Sequence, residues 1–251
     1  MIFVTGDCHG DFRKFSSQAF PEQNEMTLND YVIVCGDFGI WADDSSERYW
    51  LNWLSEKPFT ILFVDGNHEN FDRLYGGEFQ EVNFCGGRAH RIRHNIFHLM
   101  RGHVYEIEGK KFFAFGGAQS HDIDDGILDE KDFGSYREML KKAGEMRRAN
   151  KMFRINHVSW WELEMPTRTE MAFGMKTLEE HGNKVDFIIS HCCPQSIASI
   201  CGYRNGDILT EYFDVIADTT EFTKWFFGHY HGDKQILGDF IMLYNQIVRI
   251  V

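Results

Sequence analysis

Five short apolar runs, each cut off abruptly by glycine and polar residues, constrain this chain more than any other feature. Ile2-Phe3-Val4 leads into Gly6-Asp7-Cys8-His9-Gly10-Asp11, and Tyr31-Val32-Ile33-Val34-Cys35 into Gly36-Asp37-Phe38-Gly39. Thr60-Ile61-Leu62-Phe63-Val64 leads into Asp65-Gly66-Asn67-His68-Glu69, and Val185-Asp186-Phe187-Ile188-Ile189 into Ser190-His191. Lys224-Trp225-Phe226-Phe227 leads into Gly228-His229-Tyr230-His231-Gly232. Runs this short, rich in β-branched and aromatic residues, predict buried strands. Between them, Ser46 to Ser55 spaces Tyr49, Trp50, Trp53 and Leu54 at helical intervals. Ile208 to Ala217 does the same with Leu209, Tyr212, Phe213 and Ile216. Strand, polar loop, helix, strand is the α/β pattern, and in such sheets ligands sit beyond the carboxyl ends of the strands. The polar clusters fall at those ends.

The middle of the chain reads differently. From Ile96 to Ala118 the pattern predicts antiparallel strands, with Glu108-Gly109 turning between Val104–Ile107 and Lys111–Phe115. Residues 119–172 have their own character: Tyr136, Met139, Leu140, Ala143, Met146 and Phe153 trace an approximate helical stripe among many charged residues. From Gln235 to Val251 short apolar runs resume and predict closing strands. No repeat or linker-like segment interrupts the chain, so we expect one domain, 1–251, with an insertion at about 119–172.

Composition acts chiefly by exclusion. An apolar fraction of 43% with 23 Phe supplies a core, and no apolar stretch reaches membrane-spanning length. A net charge of −12 opposes broad binding to a polyanion, so nucleic acid is a disfavoured partner. Met1–Thr5 runs straight into a polar motif without a basic region and long apolar core, so a cytoplasmic location is expected. Six cysteines without a C-x-x-C pair predict reduced, mostly buried thiols. The acidic balance does not oppose phosphate chemistry, because a pair of dications reverses the field inside a cleft.

Asp7 and His9 stand two residues apart after a strand, a spacing that in extended chain puts both side chains on one side. His229 and His231 repeat it, with Tyr230 facing the other way. Asp37, Asn67 and His191 each follow another apolar run, so seven oxygen or nitrogen donors converge from five strand ends. Carboxylates and imidazoles without thiolates suit borderline first-row ions such as manganese, iron or zinc. The set exceeds what one four-coordinate ion needs, and two ions sharing a carboxylate is the natural solution.

The series Gly6-Asp7-x-His9, Gly36-Asp37, Gly66-Asn67-His68-Glu69, His191 and Gly228-His229-x-His231 resembles the calcineurin-like metallophosphoesterases. All five motifs stand in that family's order, from residue 6 to residue 232. The resemblance implies an α/β fold, a metallophosphoesterase-type sandwich of two mixed β-sheets flanked by helices. It implies that Asp7, His9, Asp37 and His231 bind one metal, and that Asp37, Asn67, His191 and His229 bind a second, with Asp37 as the bridge. His68 would stay off the metals and protonate the leaving-group oxygen. The implied cofactors are two divalent or mixed-valence metal ions, manganese first, with iron or zinc as alternatives. Two carboxylates against two dications leave about +2, or about +1 with a bridging hydroxide, which attracts phosphate. A hydroxide between the metals would attack phosphorus in line.

The family spans monoesterases, diesterases, nucleotide pyrophosphatases and nucleases, so the resemblance does not choose a substrate. Its protein phosphatases carry Asp-Arg-Gly shortly after the second motif. Here Gly36-Asp37 is followed by Phe38-Gly39-Ile40-Trp41-Ala42-Asp43-Asp44, with no arginine, which puts a serine/threonine phosphatase role in doubt. The expected partner is therefore a small phosphoester, mono- or diester. A nuclease and a non-catalytic binding module on the same fold are the alternatives, and no donor is missing to favour the latter.

Arg88, His90, Arg91, Arg93 and His94 form a solvated loop face rather than a phosphate grip. His121, Asp122, Asp124 and Asp125 form a loop rather than a metal site. Glu69 supports its neighbours by hydrogen bonding, and Trp160-Trp161 with Glu162 and Arg168 is either a wall or lid over the cleft or local packing of the insertion. His157 and His181 carry no assignment.

Overall fold

The computed structural model describes all 251 residues. Its first strands are β1 (Ile2–Thr5), β2 (Tyr31–Val34), β3 (Thr60–Phe63), β4 (Gln80–Phe84), β5 (Gly87–Arg93) and β6 (Ile96–Leu99). Then come β7 (His103–Ile107), β8 (Lys110–Phe115), β9 (Ile127–Leu128), β10 (Arg154–Ile155) and β11 (Phe187–Ser190). The last are β12 (Lys224–Phe227), β13 (Lys234–Ile236), β14 (Phe240–Met242) and β15 (Ile247–Arg249). The helices are α1 (Ser45–Ser55), α2 (Phe71–Tyr75), α3 (Tyr136–Arg148), α4 (Arg168–Glu180), α5 (Gln195–Ile200) and α6 (Ile208–Thr219).

Two large sheets form, a seven-stranded one ordered β15-β1-β2-β3-β6-β5-β4 and a six-stranded one ordered β13-β14-β12-β11-β8-β7. In the first, β1, β2, β3 and β6 run parallel while β15, β5 and β4 pair antiparallel to their neighbours. In the second, β8, β11, β12 and β14 run parallel while β7 and β13 pair antiparallel. Both sheets are mixed, as expected.

Alternate residues of a strand point to opposite faces, which distributes each apolar run between two layers. Ile2, Val4, Ile33 and Leu62 of the first sheet meet Phe112, Ala114, Phe187, Ile189 and Phe226 of the second in one shared core. Phe3, Val32, Val34, Ile61 and Phe63 point outward beneath Leu51 and Leu54 of α1. Phe113, Phe115, Ile188 and Trp225 point outward beneath Met171 and Leu178 of α4 and Phe213 and Ile216 of α6. The central runs are apolar throughout because both of their faces are covered. No helix is long and apolar enough to cross a membrane. All six cysteines are free, four of them buried.

The hairpin joining β7 to β8 turns through Glu108 (φ 52°) and Gly109 (φ 70°), with Ile107 opposite Lys110. Two successive positive φ angles make the two-residue turn whose twist matches paired strands. Elsewhere the structure departs from expectation. The basic segment read as a loop face is strand β5, in which Ala89, His90 and Ile92 are buried. A register shift between Arg91 and Arg93 breaks the two-residue alternation, which is why the strand is hard to read from sequence. Arg88 pairs with Glu81 at 2.6 Å, and His90 lies 3.0 Å from His98 between ring nitrogens. Strand β11 starts at Phe187 rather than Val185, and just ahead of it the Asp186 carboxylate accepts the Lys111 amide at 2.9 Å. In α3 only Met139 and Ala143 of the expected stripe are buried; Tyr136 and Leu140 face solvent, and Phe153 lies beyond the helix.

Candidate metal centre

The loops after β1, β2, β3, β11 and β12 meet at one edge of the sandwich. Backbone bonds tie them: the amides of Cys8 and His9 donate to the Asp37 carbonyl at 3.0 and 2.7 Å, and the Gly228 amide to the His191 carbonyl at 2.9 Å. The motif glycines clear space for donors from other loops. A Cβ at Gly36 would collide with the His191 ring, one at Gly66 with the Asp37 carboxylate, and one at Gly228 with the Asp7 carboxylate. The chain past the strands is not extended, contrary to the spacing expectation: His9, His229 and His231 have φ of 49°, 64° and 49°. Asp7 and His9 reach a common point through a tight turn instead.

Three overlapping trios present ligand atoms within 4.8 Å of one another: Asp7, His9 and His231; His9, Asp37 and His68; and Asp7, Asp37 and His191. Asp7, Asp37 and His191 are buried. Asp37 Oδ2 lies 3.4 Å from His191 Nε2 and 3.7 Å from His9 Nδ1, while its Oδ1 accepts the His68 amide at 2.8 Å. Asp7 Oδ2 lies 3.2 Å from His231 Nε2 and 3.7 Å from His9 Nε2. Asn67 Oδ1 is 3.3 Å from His191 Nε2. His229 stands apart. Its amide donates to Asp7 Oδ1 at 3.0 Å and its ring lies 4.9 Å from that of His191, but its Nε2 meets His121 Nε2 at 2.8 Å.

Charge explains the protonation pattern. His191 Nδ1 donates to the Cys35 carbonyl at 2.7 Å, which leaves Nε2 turned to the centre. Burial opposes a charged His191, yet the charge and hydrogen bond of Asp37, with Asp7 behind it, raise it to about 10. A proton there offsets part of the two carboxylate charges, and a dication would supply the same compensation. Burial lowers His9 against the pull of Asp37 and Asp7, and lowers His229 well below its ordinary value. Neutral imidazole is the form that ligates metal. His231 is raised by its bond to Asp7. His68 is lowered, chiefly by burial, with Asp37 opposing.

Several supports hold this arrangement. Glu69, fully buried, accepts the amides of Phe38 (2.5 Å), Gly39 (3.2 Å) and Ile40 (2.9 Å), and so shapes the loop that presents Asp37. That matches the hydrogen-bonding role expected of it. Replacing Glu69 by alanine would strand these amides at ~1–3 kcal/mol each. Thermal unfolding should therefore shift down by roughly 10 °C or more for a chain of this size, with Glu69→Gln milder. An unchanged melting temperature in the alanine variant would refute the role.

Beneath Asn67, its Nδ2 donates to Ser120 Oγ at 3.4 Å, and Ser120 Oγ donates to buried Glu164 at 2.6 Å. Asp65, next along the same loop, is buried against His98 at 3.0 Å and the Arg101 guanidinium, whose Nε is 2.9 Å away.

Sequence reasoning misses Ser120 and Glu164, and it reads His121 only as part of a loop, where the structure sets it against His229. A signal existed: Phe112-Phe113-Ala114-Phe115 also ends in Gly116-Gly117, with Ser120-His121 following. It is the same apolar run and polar cluster that marked the other five loops. Trp161 is buried, donates Nε1 to Asp72 Oδ2 at 2.7 Å, and meets Trp41 edge-on at 5.3 Å. Trp41 in turn adjoins His68, their ring centres 6.0 Å apart. His157 pairs with Asp72 at 2.9 Å, and His181 with the Thr177 carbonyl at 2.8 Å, both away from the centre.

A comparison with protein families matches residues 1–233 to the model described as calcineurin-like phosphoesterase. A comparison with curated proteins gives no match.

Proposed function

The chain belongs to the calcineurin-like phosphoesterase family, and from that premise we propose that it hydrolyses small phosphate mono- or diesters at a dinuclear metal centre. The observation that carries this reading is the position of Asp37. One of its oxygens, Oδ2, lies within 3.7 Å of His9 and 3.4 Å of His191, as a carboxylate shared by two ions requires.

Asp7, His9, Asp37 and His231 would hold one ion, and Asp37, Asn67, His191 and His229 the other. The fit rests on donor chemistry. Two buried carboxylates call for compensating positive charge, and the imidazoles and amide around them suit manganese first, with iron or zinc as alternatives. When bound, the pair would activate a water and withdraw charge from the phosphoryl oxygens. With its Nε2 held by His121, His229 would ligate through Nδ1, and His121 would orient it from outside, as ligating histidines require.

The chain's own acid is His68. Asp37 holds its backbone while its ring stands beside His9, close enough to the donor cluster to reach an ester held there, and we assign it to proton transfer and not to a metal. As the bond from phosphorus to the leaving oxygen breaks, His68 gives that oxygen a proton, and the oxygen of water ends on phosphorus. The negative charge of a bound phosphoester favours the protonated imidazole. The core shared by both sheets supports reading 1–251 as one domain, with 119–172 inserted to brace the site. Free, mostly buried thiols support a cytoplasmic setting.

A manganese-supplemented panel tests the proposal, with p-nitrophenyl phosphate, bis-p-nitrophenyl phosphate, cyclic nucleotides, dinucleoside polyphosphates and single-stranded DNA as substrates. Turnover is expected on small esters and not on DNA, given the net charge of −12. No turnover on any of them would overturn it in favour of a binding module.

A further inference from the structure

A cavity of about 350 Å³ opens beside the centre, on the side where the His9 and His68 rings meet edge-on at 5.2 Å. Its volume falls within the ~300–1,000 Å³ of small-molecule sites. Its apolar lining is Phe12, Trp41, Ala42 and Trp50. These walls are fixed from behind. Phe12 is buried, with Phe38 at 4.7 Å and Trp50 at 6.0 Å between ring centres. Trp41 is backed by Trp161, which residues 119–172 deliver and Asp72 holds. Glu47 clamps the Trp41 and Ala42 amides at 2.6 and 2.9 Å while pairing with Arg73 at 2.6 Å, so its charge is already engaged. No lysine or arginine lines the cavity, and Asp44, the N-cap of α1, stands in its wall.

We propose that this cavity receives the leaving group of the phosphoester, and that it is built for a flat, uncharged aromatic ring, as in an aryl phosphate or a nucleoside monophosphate. The inference rests on the hydrolytic reading of the adjoining centre. His68 lines the cavity and also touches the donor cluster, so the oxygen it protonates belongs to whatever the cavity holds. Indole and phenyl walls offer faces and edges to another ring. A second phosphate or a carboxylate would meet Asp44 and find no lysine or arginine to pair with, His68 being committed to the leaving oxygen, which disfavours polyphosphates on this side.

Two measurements on the full chain test this and separate it from the parent reading. The first is the ratio of kcat/KM for 1-naphthyl phosphate, or for adenosine 5′-monophosphate, to that for glycerol phosphate, with manganese. In Trp50→Ala the ratio should fall about tenfold or more, as loss of one stacking partner does. Trp50→Phe, which keeps a ring, should restore most of it; an unchanged ratio in the alanine variant overturns the proposal. The second is saturation-transfer NMR of the product alcohols, 1-naphthol and adenosine, with glycerol as control, which needs no turnover. Ring signals are expected in the wild type and lost in Trp50→Ala, and whichever ring binds identifies the substrate type. A wild type that hydrolyses esters but binds neither ring overturns the leaving-group cavity. One that binds a ring but hydrolyses nothing overturns the hydrolytic reading and leaves the ring site standing.

Discussion

Asparagine at position 37 should abolish manganese-supported turnover, by about 10³-fold or more, equivalent to ~4 kcal/mol of barrier. The backbone should tolerate the change. Asp37 sits at φ 46°, a left-handed conformation that asparagine adopts as readily as aspartate. Nearly every contact of its carboxylate would be disturbed. Oδ1 accepts the His68 amide, and Oδ2 faces His191 and His9 from a buried position with 1% exposure. An amide removes the negative charge that two ions would share and turns a donor toward one of those neighbours. Metal titration by calorimetry should show the stoichiometry fall from two ions to one or none, independently of any assay. Near-normal activity, or two ions retained at unchanged affinity, would sink the dinuclear centre.

Alanine at position 68 should act differently. General acid catalysis contributes ~10²–10⁴-fold when the leaving oxygen is a poor one. An alkyl phosphate should therefore lose turnover in that range, whereas p-nitrophenyl phosphate, whose leaving group needs little protonation, should lose far less. Metal content should be unchanged, because His68 stands outside the proposed donor set. Equal losses on both esters would argue for a positioning role instead. The comparison is sharpened by the neighbourhood of His68, which is half enclosed between His9 and Trp41. Alanine opens space there, so an esterase assay alone would not separate a lost proton from a loosened wall; the contrast between leaving groups does.

Much of the fold was legible because its signals are short-range. Apolar runs stop where glycine and charge begin, and β1, β2, β3 and β12 lie within a residue of the predicted bounds. The hairpin at Glu108-Gly109 was legible for the same reason, since a two-residue turn is specified by its own backbone. β5 was not, because its bulge puts Arg91 and Arg93 out of step with the alternation that marks a strand. Glu69 is legible as a support because it stands within the Gly66-Asn67-His68-Glu69 motif, whereas Ser120 and Glu164 stand outside the motifs and His121 reads only as loop.

By itself, then, the amino-acid sequence determined which donors exist and that each stands at the end of a buried strand. Those properties follow from a few neighbouring residues. Only the tertiary structure decided what each donor meets. Gly36 is glycine because the His191 ring, from the other sheet, lies against it, and Asp37 touches His9 and His191 from different loops. His229 turns its Nε2 to His121, and Trp161 stiffens the wall that Trp41 raises beside His68. These relations arise where two sheets pack face to face around one core, and no spacing along a single strand encodes them.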